Sequence, residues 1–207
     1  MRALASPVLA RLAAREGICA RVLLWVKARE RDSGAEACLG LWSGEDHAVF
    51  VIGGESRSYF GAGGLISMPP LISEVGLNVR SHRLVLSPLA PEVSQLIRGY
   101  DPRLAPVEIH VASFDPATGA LLAEPARVFR GVINTVTVET PPEGGEARVE
   151  LELLSAAQAL TRTLALKKSA ETLRLRAPAD AFRQYIAVTG AVETVWGEAR
   201  ATRPSNG

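Results

Sequence analysis

The chain is poor in the groups that usually announce chemistry. Its 207 residues include two cysteines, three histidines and only 5% aromatics. Cys19 and Cys38 are too few for a disulfide-stapled scaffold, and they can pair only if the fold brings their Cα atoms within about 7 Å. Pro7 and Arg11 cut the early apolar run far short of a signal-peptide core, so reduced thiols are expected. No stretch approaches the ~20 apolar residues of a membrane-spanning helix, and no membrane anchor is expected. Charge of one sign is missing too. Lys and Arg number 23 against 22 Asp and Glu, interspersed along the chain, which gives no general attraction for nucleic acid. The product reads as soluble and cytoplasmic when made, and its length suits one large domain or two small ones.

Catalytic and metal-binding motifs are equally scarce. His47, His82 and His110 lie far apart, and neither cysteine stands beside a histidine at the spacing of a zinc site. Gly61-Ala-Gly-Gly64 is followed by Leu65-Ile-Ser-Met-Pro-Pro70, without the lysine and hydroxyl of a phosphate-cradling loop, so it reads as a flexible connector. No Gly-x-Ser-x-Gly elbow occurs. Asp101, Glu108, Asp115 and Glu124 are the candidates for a glycosidase acid pair, but Asp101 and Asp115 precede prolines and read as turn initiators. Trp25, Trp42, Trp196, Tyr59, Tyr100 and Tyr185 are too scattered for a stacking platform. Arg80, Arg83, Arg98, Arg103, Arg127 and Arg130 form either a nucleic-acid channel lining or, the preferred reading, a solvated or interface face. No catalytic, cofactor-binding or metal-binding residue is assigned, and no cofactor is expected.

What is present is β patterning. Between Val128 and Leu154 two alternating runs flank 140–146, where two prolines and two glycines reverse the chain. Val128, Val132, Val136 and Val138 share one parity, interrupted by Arg130 and Asn134; Val149, Leu151 and Leu153 alternate with Arg148, Glu150 and Glu152. Upstream, Ser6 and Pro7 open a short helix stopped by Gly17. A strand follows from Ile18, fading in the charged run 27–32, and then a meander over 38–42, 47–52 and 56–60. Residues 76–86 read as a strand, 87–98 as a helix ended by Gly99, and 105–114 as another strand before the turn at 115–119. Past the hairpin come a helix capped by Ser155, a weak helix or turn over 180–187, a last strand over 191–196 and a mobile polar tail from Ala199.

Several strings together carry a family resemblance: Leu39-Gly-Leu-Trp-Ser-Gly44, Tyr59-Phe-Gly-Ala-Gly63, Gly76-Leu-Asn-Val-Arg80, Leu84-Val-Leu-Ser-Pro-Leu89, Ile97-Arg-Gly-Tyr-Asp101, Ala105-Pro-Val-Glu-Ile-His110, Phe129-Arg-Gly131 and Val195-Trp-Gly197. With them the chain resembles, over nearly its whole length, the minor tail proteins of tailed phages and prophages, related to the baseplate hub proteins of long-tailed phages and gene transfer agents. The resemblance implies a β-rich α+β fold of two β-barrel-like hub domains with short inserted helices: 1–98, then 99–198 interleaved with it, then a tail over 199–207. It implies a homo-oligomeric ring, a trimer by preference, at the tail tip of the virion. The ring would join the tail tube and distal tail protein to tip or fibre proteins and surround a lumen for the tape-measure protein and for DNA in passage. The cysteine-rich metal or iron-sulfur segment of some relatives is not carried over, because both cysteines lie in the N-terminal fifth. The alternatives are a receptor- or carbohydrate-binding tail module and, behind it, a tail-tip cell-wall hydrolase.

Overall fold

The computed structural model describes residues 4–61, 63–70, 78–142, 145, 147–161, 168–186, 188 and 190. The chain divides into two compact units, Met1–Thr161 and Arg162–Gly207. The first unit is built on an eight-stranded antiparallel sheet with few, short helices, the β-rich α+β class expected.

Strands β1 (Cys19–Glu30), β2 (Glu36–Trp42), β5 (Leu65–Ser67), β6 (Ser81–Leu86), β8 (Pro106–Phe114), β9 (Ala126–Glu139) and β10 (Arg148–Ser155) lie in the order β2-β1-β8-β9-β10-β6-β5, and the short β7 (Tyr100–Asp101) pairs with the far end of β1. The order is open, with β2 and β5 at its ends, so the sheet does not close into the barrels that the resemblance implied. Three strands of 99–198, β8, β9 and β10, form the middle of this order, with two strands of 1–98 on either side. A separate hairpin, β3 (Ala48–Ile52) with β4 (Glu55–Tyr59), forms its own two-stranded sheet, so the upstream β runs are not one continuous meander.

The main core lies on one face of the large sheet. Leu24 and Val26 of β1, Leu39 and Leu41 of β2, Leu84 and Leu86 of β6, Val107 and Ile109 of β8, Ile133 of β9, and Val149, Leu151 and Leu153 of β10 form one buried cluster. Val93 and Leu96 join it from α2 (Pro91–Ser94) and the π-helical turn Gln95–Gly99 that continues it. At ~25 cal/mol per Å² of apolar surface, this is the dominant favourable term in the fold. On the opposite face the hairpin covers a second core, made by Leu23 and Trp25 of β1, Ala112 of β8, Phe50 and Ile52 of β3 and Tyr59 of β4. β1 is thus apolar on both sides over Leu23–Val26, with Leu24 and Val26 in one core and Leu23 and Trp25 in the other.

Several boundaries differ from the sequence expectation for physical reasons. The first helix, α1 (Ser6–Ala13), has Ser6 as its first helical residue after an extended Ala5, and it gives way to Arg15 in the left-handed region (φ 56°) before Gly17 is reached. β1 runs through the charged stretch to Glu30 because Lys27, Ala28 and Arg29 find ladder partners in Cys38, Ala37 and Glu36, and Arg29 and Glu30 pair again with β7. The β9–β10 hairpin forms as expected, but its parity does not. Phe129 and Ile133, not Val132, face the core; a register shift then leaves Asn134 between the pairs Leu153↔Ile133 and Glu152↔Thr135, and turns Val136 toward the core instead. Ser155 ends β10 rather than capping a helix, and α3 (Gln158–Thr161) begins after it.

In the second unit α4 (Ala170–Arg176) is capped by Ser169, whose Oγ accepts from the Thr172 backbone N–H at 3.2 Å. Turns follow over 182–186. The strand expected at 191–196, the tail from 199 and part of the expected strand 76–86 lie outside the described residues. Among the described residues no helix is long and apolar enough to cross a membrane.

Candidate functional site

The feature with chemical content is the polar rim of the second core. In the β3–β4 register Phe50 opposes Arg57, Ile52 opposes Glu55 and Ala48 opposes Tyr59, so these six share the inner face of the hairpin and turn toward β1 and β8. The hairpin can lie this close because β2 carries a glycine at the crossing. A Cβ on Gly40 would meet the Ser58 carbonyl oxygen at 2.4 Å and the Tyr59 ring at 2.8 Å. Trp25, Trp42, Phe50, Tyr59 and Phe114, distant in sequence, meet here as tilted and edge-to-face pairs with centroids 5.4 to 6.3 Å apart.

Arg57 is brought over the Trp25 ring, 5.2 Å from its centroid, and its guanidinium reaches across to β8. One terminal nitrogen donates to Glu108 at 3.0 Å and the other to Glu55 at 3.0 Å. The second Glu108 oxygen accepts from Arg127 of β9 at 3.2 Å. His110, two residues along β8, is 2% exposed, with Nε2 3.8 Å from Glu108. Close by, Glu124 accepts from the Gly53 backbone N–H in the β3–β4 turn at 2.6 Å. These groups, with Lys27, line a cleft of about 480 Å³ in which three carboxylates face three cations.

The electrostatics are those of groups drawn out of water and held by one another. Burial pushes the His110 imidazole below its ordinary value, and the Glu108 charge only partly opposes this. Burial pushes Glu108 upward, but the hydrogen bond from Arg57 and the charges of His110, Arg57 and Arg127 outweigh it, so it stays ionised below the usual carboxylate range. Desolvation raises the Tyr59 phenol to about 12 against the pull of Arg57. The Arg57 guanidinium, penalised by burial, is restored and raised by Glu108 and Glu55. The cluster is well paired but not complete: Trp25 Nε1, Arg57 Nε, Tyr59 Oη and His110 Nδ1 are buried without a hydrogen-bond partner.

Of the acidic residues considered for a glycosidase pair, Glu108 and Glu124 come together on this cleft. Asp101 and Asp115 do not. Each closes a local turn, accepting from the backbone N–H of Arg103 at 3.3 Å and of Ala117 at 2.9 Å respectively, and Asp115 is also clamped by Arg11 through two bonds of 3.0 and 2.8 Å. Glu108, held as a carboxylate by two guanidinium groups, is unsuited to the proton-donating role in glycoside cleavage. The three histidines sit apart: His110 in the cluster, His82 on β6 edge-on to Phe129, and His47 exposed beside Phe60. Among the described residues no group of three or more His, Cys, Asp or Glu is arranged to hold a metal.

Three of the six arginines considered for a channel lining stand beside carboxylates. Arg83 lies 3.9 Å from Glu150, Arg127 binds Glu108, and Arg130 stands opposite Glu108 in the β8–β9 ladder, so guanidinium and carboxylate alternate across the outer face. Cys19 and Cys38 are free. Cys38 stands opposite Lys27, eight residues along β1 from Cys19, a separation of about 27 Å at ~3.4 Å per residue. Sequence reasoning missed Arg57 altogether and read Tyr59 only as one of the scattered aromatics. The signal was the alternation Glu55, Arg57, Tyr59 against Ser56 and Ser58, which puts every large side chain of β4 on one face.

No protein-family model matches the chain, and no curated protein matches it significantly in sequence.

Proposed function

We propose that the chain is a structural subunit of a phage tail tip, a hub protein that assembles with copies of itself into a ring between the tail tube and the distal tip or fibre proteins, around the lumen. The resemblance of its scattered motifs to minor tail proteins supports the tail assignment. The observation that carries the subunit reading is the outer face of the β3–β4 hairpin. β3 reads Ala-Val-Phe-Val-Ile: Phe50 and Ile52 are buried beneath it, whereas Val49 and Val51 are 64% and 57% exposed on the other side, opposite Ser58 and Ser56. That face holds two valines and two serines with no charge, on a strand whose only ladder partner among the described residues is β4. A strand apolar on both sides is the pattern of a buried strand, and an uncovered apolar edge invites pairing with another chain unless something covers it. A neighbouring subunit of the ring is the occupant we assign to it.

Particles produced without this protein test the reading by electron microscopy and infectivity. The expected outcome is tails that lack a formed tip and do not infect; normal, infectious tails would overturn it.

A further inference from the structure

We propose that the β3–β4 hairpin is an acid-released flap, latched to the large sheet through the cluster around His110. The hairpin is a sheet of its own, separate from the eight-stranded one. Besides the second core, it is held by the Arg57–Glu108 pair, by the bond from the Gly53 N–H to Glu124 and, just past β4, by two backbone bonds between Phe60 and β2. The main core lies on the other face of the large sheet and takes no residue from β3 or β4. Opening of the hairpin therefore leaves that core in place.

His110 sits beneath the flap. On β8 it stands opposite Leu23 of the second core, and it lines the cleft together with Ile52 of β3 and Arg57 of β4. The charged groups of the cleft come from every element packed there: Glu108 from the same strand, Glu55 and Arg57 from the hairpin, Arg127 from β9, Lys27 from β1 and Glu124 from the connection between β8 and β9. The Tyr59 phenol, raised to about 12, stays neutral. Three carboxylates thus balance three cations while the imidazole is neutral, and a proton on His110 adds a fourth cation.

The closed geometry offers the charged ring no partner. In an imidazolium both ring nitrogens donate, whichever one carries the hydrogen in the neutral ring. Nε2 is 3.8 Å from Glu108, beyond hydrogen-bond length, and Nδ1 is buried without a partner. Both Glu108 oxygens already accept, one from Arg57 and one from Arg127. A charged, unsatisfied ring is disfavoured there, and lifting the hairpin brings it water. Burial holds the imidazole below its ordinary value; Glu108 and Glu124 pull it up, and Arg57 and Arg127 push it down. The open form binds the proton more tightly than the closed one, so acid favours opening below about pH 6.5. A lifted two-stranded hairpin is marginal by itself, and its amides then exchange with solvent. Val49 and Val51 ride on this hairpin. Where a neighbouring subunit covers them acid would loosen that contact, but the opening itself does not rest on the tail reading.

The test is hydrogen–deuterium exchange of the full-length protein between pH 7.5 and 5, with rates corrected for the intrinsic pH dependence of amide exchange. Protection over residues 48–59 should fall by up to about tenfold for each pH unit below about 6.5, while β9 and β10 keep theirs. H110N should remove this dependence, and H47N, which lacks the exposed histidine just before β3, should retain it. The proposal is overturned if hairpin protection does not change with pH, if it falls in step with β9 and β10, if H110N falls as the parent does, or if H47N abolishes the fall. Should H110N fail to fold, the His110 ring resonances of the parent decide. They must titrate over the same range as the loss of protection; an imidazole that takes its proton while the hairpin stays protected overturns the proposal. The exchange is read on the protein alone and does not depend on whether it forms part of a tail.

Discussion

Arg57 and Glu108 join the small hairpin to the large sheet through a hydrogen-bonded ion pair of 3.0 Å, with the arginine side chain 11% and the glutamate 18% exposed. The pair links residues 51 positions apart, from β4 to β8, and fixes how the hairpin lies over the aromatic core. Removing one partner leaves the other mostly buried and charged. E108Q should therefore destabilise the protein by about 2–3 kcal/mol, toward the lower end of the range for such losses because water still reaches the site. Urea unfolding measures it, and R57M, which keeps the packing on Trp25 but strands Glu108 with Arg127 alone, should cost less than E108Q.

The buried imidazole ties stability to pH. His110 binds its proton less readily in the folded chain than in the unfolded one. Between its folded value and the ordinary ~6.5 the unfolded state carries more protons, so stability is full above about pH 6.5 and falls as pH drops below it. Glu108, held below the ordinary carboxylate range, adds a loss in the same direction at more acid pH. Denaturation midpoints between pH 7.5 and 5 should decline for the parent and decline less for H110N; identical slopes would remove His110 as the cause.

Gly40 is the packing key beneath the hairpin. G40A places a Cβ against the Ser58 carbonyl and the Tyr59 ring, both of which belong to the fixed hairpin, and overpacking of this kind costs about 1–3 kcal/mol. Loss of near-ultraviolet circular dichroism from the Trp25–Tyr59 cluster, with the far-ultraviolet β signal retained, would mark the hairpin lifting from an otherwise intact sheet.

On β10, Glu150 and Glu152 separate surface from structure. Glu150 faces Arg83 at 3.9 Å, a loose pair on the outer face, so E150K should change stability by less than about 0.5 kcal/mol while impairing assembly. E152K also removes the acceptor of the 2.8 Å bond from Asn134, at the bulge where the β9 parity reverses, and should lower stability as well as assembly. Size-exclusion profiles of the two variants beside their melting curves distinguish the effects.

The thiols supply a simple check of the β1–β2 register. With Cys38 opposite Lys27 and Cys19 eight residues away, no intramolecular disulfide can form. Alkylation under non-reducing conditions should label both, the exposed Cys38 faster than Cys19; a mass two protons light and unlabelled would contradict the register.

Period-two alternation made most strands readable from sequence, because a sheet with one buried face imposes that pattern on β6 and β10 directly. It failed where something other than alternation decided the outcome. Asn134 shifts the ladder by one residue, so Val132 and Val136 share a parity in sequence but not a face in the fold. Lys27 to Glu30 look like a strand end yet have partners waiting on β2 and β7. The site was less legible still. Glu108 and His110 were visible as a strand glutamate and histidine, but their environment comes from Arg57, Trp25 and Tyr59, which arrive through long-range packing that no local spacing encodes. Likewise the aromatic residues, dispersed along the chain, converge only because β3–β4 folds back over β1.

The central claim, that the chain works as a subunit whose uncharged β3–β4 face is covered by a neighbour, is tested most directly by native mass spectrometry of the full-length protein and its V49K/V51K variant. The parent should be a closed homo-oligomer, a trimer by the tail-tip resemblance, and the variant a folded monomer. A parent that stays monomeric at every concentration, or a variant that assembles as well as the parent, would contradict it.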